Sequence, residues 1–139
     1  MKNRILLKSI GLFAVSVLSL LNISCDKDDE RIDFYKSQNR SQELKGWWRS
    51  IDDTSENPHY MLFEELLYKS VSYSEVHGYY IPPEGDYWYN TSTHIHFLAP
   101  GNFKGSGTER ATPFILNATK DTLSTYSNPA FYFVKSEHP

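Results

Sequence analysis

Tyr87-Trp88-Tyr89-Asn90-Thr91-Ser92-Thr93-His94-Ile95-His96-Phe97-Leu98 decides the fold class. Two runs of aromatic and β-branched residues, Tyr87–Asn90 and His94–Leu98, flank a short polar turn, the pattern of a β-hairpin. The same texture extends from Leu44 to the end of the chain. Upstream, Gly46–Ile51, Tyr60–Phe63, Leu66–Tyr73 and His77–Ile81 read as strands. Asp52–Pro58 and Pro82-Pro83-Glu84-Gly85 read as turns, with a tight turn at Glu64-Glu65. Downstream, Ala99–Arg110 reads as the longest loop, followed by strands at Phe114–Asn117, Thr122–Tyr126 and Phe131–Lys135. Short strands at this regular spacing predict an all-β barrel or sandwich.

Residues 26–43 are polar, with Phe34 and Tyr35 the only bulky apolar pair. They read as an acidic tether, with a short helix over Asp33–Glu43 whose apolar face rests on the domain. The predicted organisation is a leader over 1–24, a tether over 25–43 and one domain over 44–137.

The leader starts with Lys2 and Arg4, continues through an uncharged run from Ile10 to Leu21, and reaches Asn22-Ile23-Ser24-Cys25. A basic start, an apolar middle and a small residue before the cut describe a secretory signal peptide. The 12-residue run is shorter than the ~20 residues a membrane-spanning helix needs. Cys25, the only cysteine, resembles the lipid-bearing cysteine that follows the lipobox of bacterial lipoproteins. Asn22 stands where that family usually has leucine, with Leu21 one place earlier. The resemblance implies a diacylglycerol on Cys25 and anchorage in the cell envelope. Two acyl chains at ~0.8 kcal/mol per buried methylene make such an anchor effectively permanent. A plain signal peptide that leaves a free thiol is the alternative.

Asp26-Lys27-Asp28-Asp29-Glu30 resembles the export tag some Gram-negative bacteria place after the lipid-bearing cysteine. That implies an outer-membrane lipoprotein exposed at the cell surface. Read as charge alone, it is a solvated linker that repels anionic lipid. Cleavage before Cys25 removes Lys2, Arg4 and Lys8, leaving 11 basic against 17 acidic residues, a net charge of −6. That balance excludes nucleic acid as a partner held by charge. With Cys25 carrying lipid, no disulfide can form, and stability rests on packing.

Leu44-Lys45-Gly46-Trp47-Trp48-Arg49, the strand at Asp121-Thr122-Leu123 and the closing Phe131-Tyr132-Phe133-Val134-Lys135 resemble lipocalin-like bacterial lipoproteins. The resemblance implies a small antiparallel barrel of about eight strands, its bottom closed by the Leu-x-Gly-x-Trp segment. An eight-stranded barrel is just wide enough to be filled by its own side chains or to hold one small ligand. The many aromatics predict a filled interior.

Neighbouring strand residues face opposite sides. Trp47-Trp48, Tyr79-Tyr80 and Tyr87-Trp88-Tyr89 must therefore each send a ring outward. Trp48, Tyr80 and Trp88 are the candidate ligand-binding rings, as a stacking platform for a glycan. Cross-strand pairing or cover by the tether is the plainer reading of outward rings. His94 and His96 share a strand face and could hold zinc if His77 or Glu75 supplied a third ligand. The plainer reading is that Ile95 and Phe97 fill the core while both histidines face solvent.

Catalytic patterns fail. Gly105-Ser106-Gly107 lacks the Lys-Ser/Thr of a phosphate loop, and no Gly-x-Ser-x-Gly elbow occurs. The adjacent Glu64 and Glu65 cannot converge as an acid–base pair. No cofactor is implied, and the expectation is a non-catalytic module. It binds a small apolar ligand, a glycan or an envelope protein, or it serves as a structural or protective lipoprotein with a filled barrel. Cys25→Ala is expected to abolish incorporation of a palmitate analogue in cells; undiminished label would refute the anchor.

Overall fold

A computed structural model describes residues 29–101, 107–126 and 131–139. The leader, Cys25 and the start of the acidic cluster lie outside the described residues. A helix, α1, covers 29–37. Ten strands follow: β1 (Gly46–Ser50), β2 (Tyr60–Phe63), β3 (Leu67–Val71), β4 (Tyr73–Ser74), β5 (Gly78–Tyr79), β6 (Asp86–Asn90), β7 (His94–Ala99), β8 (Thr108–Leu116), β9 (Thr122–Thr125) and β10 (Phe131–Ser136). Eight of them close an antiparallel barrel in the order β1-β10-β9-β8-β7-β6-β3-β2. β4 and β5 form a separate two-stranded hairpin. Among the described residues no helix is long and apolar enough to cross a membrane.

Register explains the inside of the barrel, because residues opposite one another in an antiparallel pair share a face. Trp48 lies opposite Met61 and Lys135, and Phe63 opposite Tyr68. Trp88 and Arg110 flank Phe97 on its two sides, and Leu123 lies between Leu116 and Phe133. All of these point inward. Trp47, Leu62, Lys69, Tyr87, Tyr89 and His96 belong to the outer face.

One end of the barrel is closed. The short turns after β2, β6 and β8 lie there, together with the segment that enters β1. Leu44, Trp48 and Trp88 are fully buried. The Trp48 indole N–H donates to Leu44 O at 2.8 Å, and that of Trp88 donates to Glu64 O at 3.0 Å. Burial therefore leaves neither indole unsatisfied. The Lys135 ammonium lies 4.5 Å from the Trp48 ring centroid and donates to Glu43 O at 2.8 Å and Lys45 O at 2.5 Å. Gly46, at φ +107°, makes the bend from this segment into β1, a backbone conformation that suits glycine.

The helix differs in place from the expected Asp33–Glu43. Tyr35 fixes it: this ring is 4% exposed and packs edge-on to Tyr89 at 5.0 Å. Its hydroxyl donates to Phe97 O at 3.3 Å. α1 stops at Ser37 because side chains then take over its last carbonyls. The Ser37 hydroxyl and Gln38 amide donate to Phe34 O, and Arg40 donates to Tyr35 O and Gln38 O. Arg40 also donates to Trp88 O at 2.7 Å, so residues 29–43 are fastened to the barrel and are not a free tether.

Two strand boundaries also differ. The run Leu66–Tyr73 breaks at Ser72, and Tyr73 joins the outer hairpin. β8 begins at Thr108, inside the expected loop, because all of β7 offers it a ladder from Ala99↔Thr108 to His94↔Pro113. Pro113 is tolerated near the end of the β9 ladder. Phe114 N–H donates to Thr93 O on the β7 side, while the Pro113 nitrogen faces the β9 side, where Tyr126 N–H donates to Pro113 O at 3.0 Å just past the end of β9.

Trp88→Ala is expected to lower the unfolding free energy by about 3–5 kcal/mol, and Tyr80→Ala by less than about 0.5 kcal/mol. Urea denaturation of the two variants would check this; equal losses would contradict the assigned faces.

Candidate functional site: the barrel lumen

Above the two indoles the barrel is open. A cavity of about 340 Å³ occupies the lumen and reaches the end opposite the closed one. Met61, Phe63, Ile95, Phe97, Leu123 and Phe133 form its deeper walls. His59, Tyr68, Arg110, Thr112, Thr125 and Phe131 form its upper part. The expectation of a filled interior is thus corrected. The reason lies in the inward positions of the upper layer, where β1, β3, β8 and β9 carry Ser50, Ser70, Thr112 and Thr125. Hydroxyl-sized side chains leave space where aromatics fill the lower layer. About 300–1,000 Å³ is the ordinary range for a small-molecule site.

Among the described residues Arg110 is the one charged residue lining the cavity. β8 turns it inward opposite Phe97, and its guanidinium carbon lies 4.0 Å from the Phe97 ring centroid and 5.6 Å from that of Tyr68. Such stacking on an apolar ring favours a cation. Its Nη2 donates to Asp86 Oδ2 at 2.9 Å across the mouth. Burial raises the Tyr68 phenol above its ordinary value, with Arg110 drawing it back, so Tyr68 keeps its proton at neutral pH. Burial pushes His59 down, with Asp53 opposing. The His59 ring nitrogens lie 3.0 Å from Ser72 Oγ and 3.2 Å from Ser70 Oγ. A neutral His59 therefore belongs to the wall.

The residues singled out from sequence fall elsewhere. Trp48 and Trp88 have no exposed surface and cannot offer a face to a sugar, which corrects both as stacking candidates. Their alternation was legible; which of each pair turned inward was not. Tyr80 is 61% exposed, beyond the β4–β5 hairpin. The outward rings next to the buried indoles are covered or paired. Tyr89 lies under Phe34 and Tyr35, and Lys36 lies 5.6 Å from the Tyr87 ring. Trp47, Tyr60, Tyr79 and Tyr73 form an edge-to-face ladder with centroids 5.2–6.3 Å apart.

His94 and His96 lie on the outer face, with ring centroids 6.2 Å apart, and His96 stacks on Tyr89 at 4.5 Å. His77 and Glu75 belong to the turn between β4 and β5, at the other end of the barrel from His94, so no third ligand reaches the pair. No cluster of three metal-ligating side chains occurs among the described residues. Glu64 pairs with Lys69 at 3.0 Å and Glu65 with Lys45 at 2.6 Å, each in a separate ion pair. Sequence reasoning missed Arg110, Tyr68 and His59. The alternation Arg110, Thr112, Phe114, Leu116 is the signal that could have found the first, once β8 starts at Thr108.

Comparison of the chain with protein-family models, with curated proteins and with solved structures gave no match.

His59 generates a pH dependence. Its value is lowered by folding, so the unfolded chain binds the extra proton and acid destabilises the fold. The loss begins as pH falls through the ordinary 6.5 and continues down to the folded-state value. His59→Gln is expected to reduce this acid sensitivity, read as the melting temperature against pH; an unchanged slope would place the dependence on other groups.

Proposed function

We propose that this chain is an outer-membrane-anchored, surface-exposed lipoprotein whose lipocalin-like barrel takes a small, mainly apolar ligand into its lumen. The observation that carries this reading is the 340 Å³ cavity, with six apolar side chains in its deeper part and a polar mouth. It is about twice the ~150 Å³ that accommodates one benzene, which suits a ligand on the order of a dozen heavy atoms. A structural role with a filled barrel fits this cavity poorly.

Membrane anchorage at Cys25 suits the same geometry. α1 starts beside the mouth, where Arg31 donates to Gly107 O at 2.9 Å, and runs down to the closed end. Cys25 precedes Asp29 by four residues, a reach of at most about 14 Å. An acylated Cys25 therefore holds the opening close to the bilayer. Ile51, Tyr126, Phe131 and Tyr132, all exposed, rim that opening. Such a placement suits a ligand that partitions into lipid.

The purified full-length chain, made without lipid and kept free of detergent, is expected to enhance the fluorescence of N-phenyl-1-naphthylamine with saturation at one equivalent. Thr112→Phe, which fills the lumen, is expected to weaken that binding about tenfold with the fold retained. Absence of saturable binding by the native chain would overturn the proposal.

A further inference from the structure

We infer that the lumen selects a carboxylate-bearing amphiphile, with Arg110 receiving the acid and Asp86 holding its place when the cavity is empty. The inference rests on the reading that the lumen binds a ligand, and it names the class.

Among the described residues that line the cavity, Arg110 is cationic and none is acidic, and the His59 ring is held between two serine hydroxyls. The Tyr68 hydroxyl, at the same level, is a proton donor. The Arg110 guanidinium has N–H groups beyond the one that Asp86 takes, and a ligand completes the set by bringing an acceptor. A carboxylate is the strongest match, because a guanidinium presents a planar fork of N–H groups to it. The ion pair with Asp86 uses Nη2. Asp86, opposite Tyr68 and two residues before Trp88, holds the inner-face position of β6 at the mouth, where it competes for the guanidinium.

Position orients the ligand. The guanidinium lies over Phe97 at 4.0 Å, so an acid bonded to it has Phe63, Ile95 and Leu123 beneath for its apolar tail. The acid end then lies toward the mouth and water. A neutral amphiphile of equal length fills the same space without the charge-assisted bonds.

Decanoic acid and methyl decanoate, titrated against the naphthylamine probe bound to the full-length chain, separate these contributions. The acid is expected to displace the probe about tenfold more effectively than the ester, the gain of a charge-assisted hydrogen bond. Arg110→Gln is expected to remove that preference while leaving the ester within about twofold. Asp86→Asn, which frees the guanidinium, is expected to strengthen the acid about threefold or more and leave the ester unchanged. An ester that binds the native chain as well as the acid overturns the charge selection and leaves the cavity reading standing. So does an Asp86→Asn variant with unaltered or weakened acid binding. Failure of both ligands to displace the probe overturns the cavity reading with it.

Discussion

Trp48 and Trp88 sit at the closed end with each indole N–H bonded to a carbonyl outside the barrel strands, those of Leu44 and Glu64. This arrangement sets the depth of everything above it. Each indole is a large volume that cannot shift without breaking its bond to the backbone, so the lower layer of the barrel is filled and fixed. Lys135 adds a third tie, between the last strand and the segment that enters the first. The upper layer has no comparable filler. Its small hydroxyl side chains leave the lumen open, and the boundary between the two layers defines the cavity floor.

The mouth is governed by a different balance. An exposed ion pair contributes little to stability, ~0–1 kcal/mol, and Arg110–Asp86 is partly solvated on both sides. Its importance is positional. The pair holds a guanidinium over Phe97, at the transition from an apolar chamber to water. Neutral His59 and protonated Tyr68 supply polarity there without adding charge, because burial shifts each toward its uncharged form. Among the described residues Arg110 is thus the one cation in the lining.

The barrel was legible from sequence because its strands are rich in aromatic and β-branched residues and are separated by strong turns. β2, β6 and β7 lie within a residue of where the pattern put them. The site was legible only in part, for two physical reasons. Alternation gives two faces and not which one is inward; that depends on closure between residues far apart in sequence, such as Trp48 and Lys135. The start of β8 carries Thr108, Glu109 and Arg110, polar residues that read as loop, and β7 recruits them as a strand by offering a long open edge. Arg110 was hidden by that recruitment. The helix was misplaced because its end is set by Arg40, which reaches the four carbonyls of Tyr35, Lys36, Gln38 and Trp88, and no helix propensity encodes that reach.

Closure of β1 onto β10 has a temporal meaning. Trp48 and its neighbour Lys135 come from the first and the last strand of the barrel. Pairings so distant in sequence form slowly. Until the final strand emerges, β1 has an unsatisfied edge and the lower indoles lack their lid. A chain that lacks its last strand is therefore held short of the native barrel. The seam that completes the container also delays its completion until the last strand is in place.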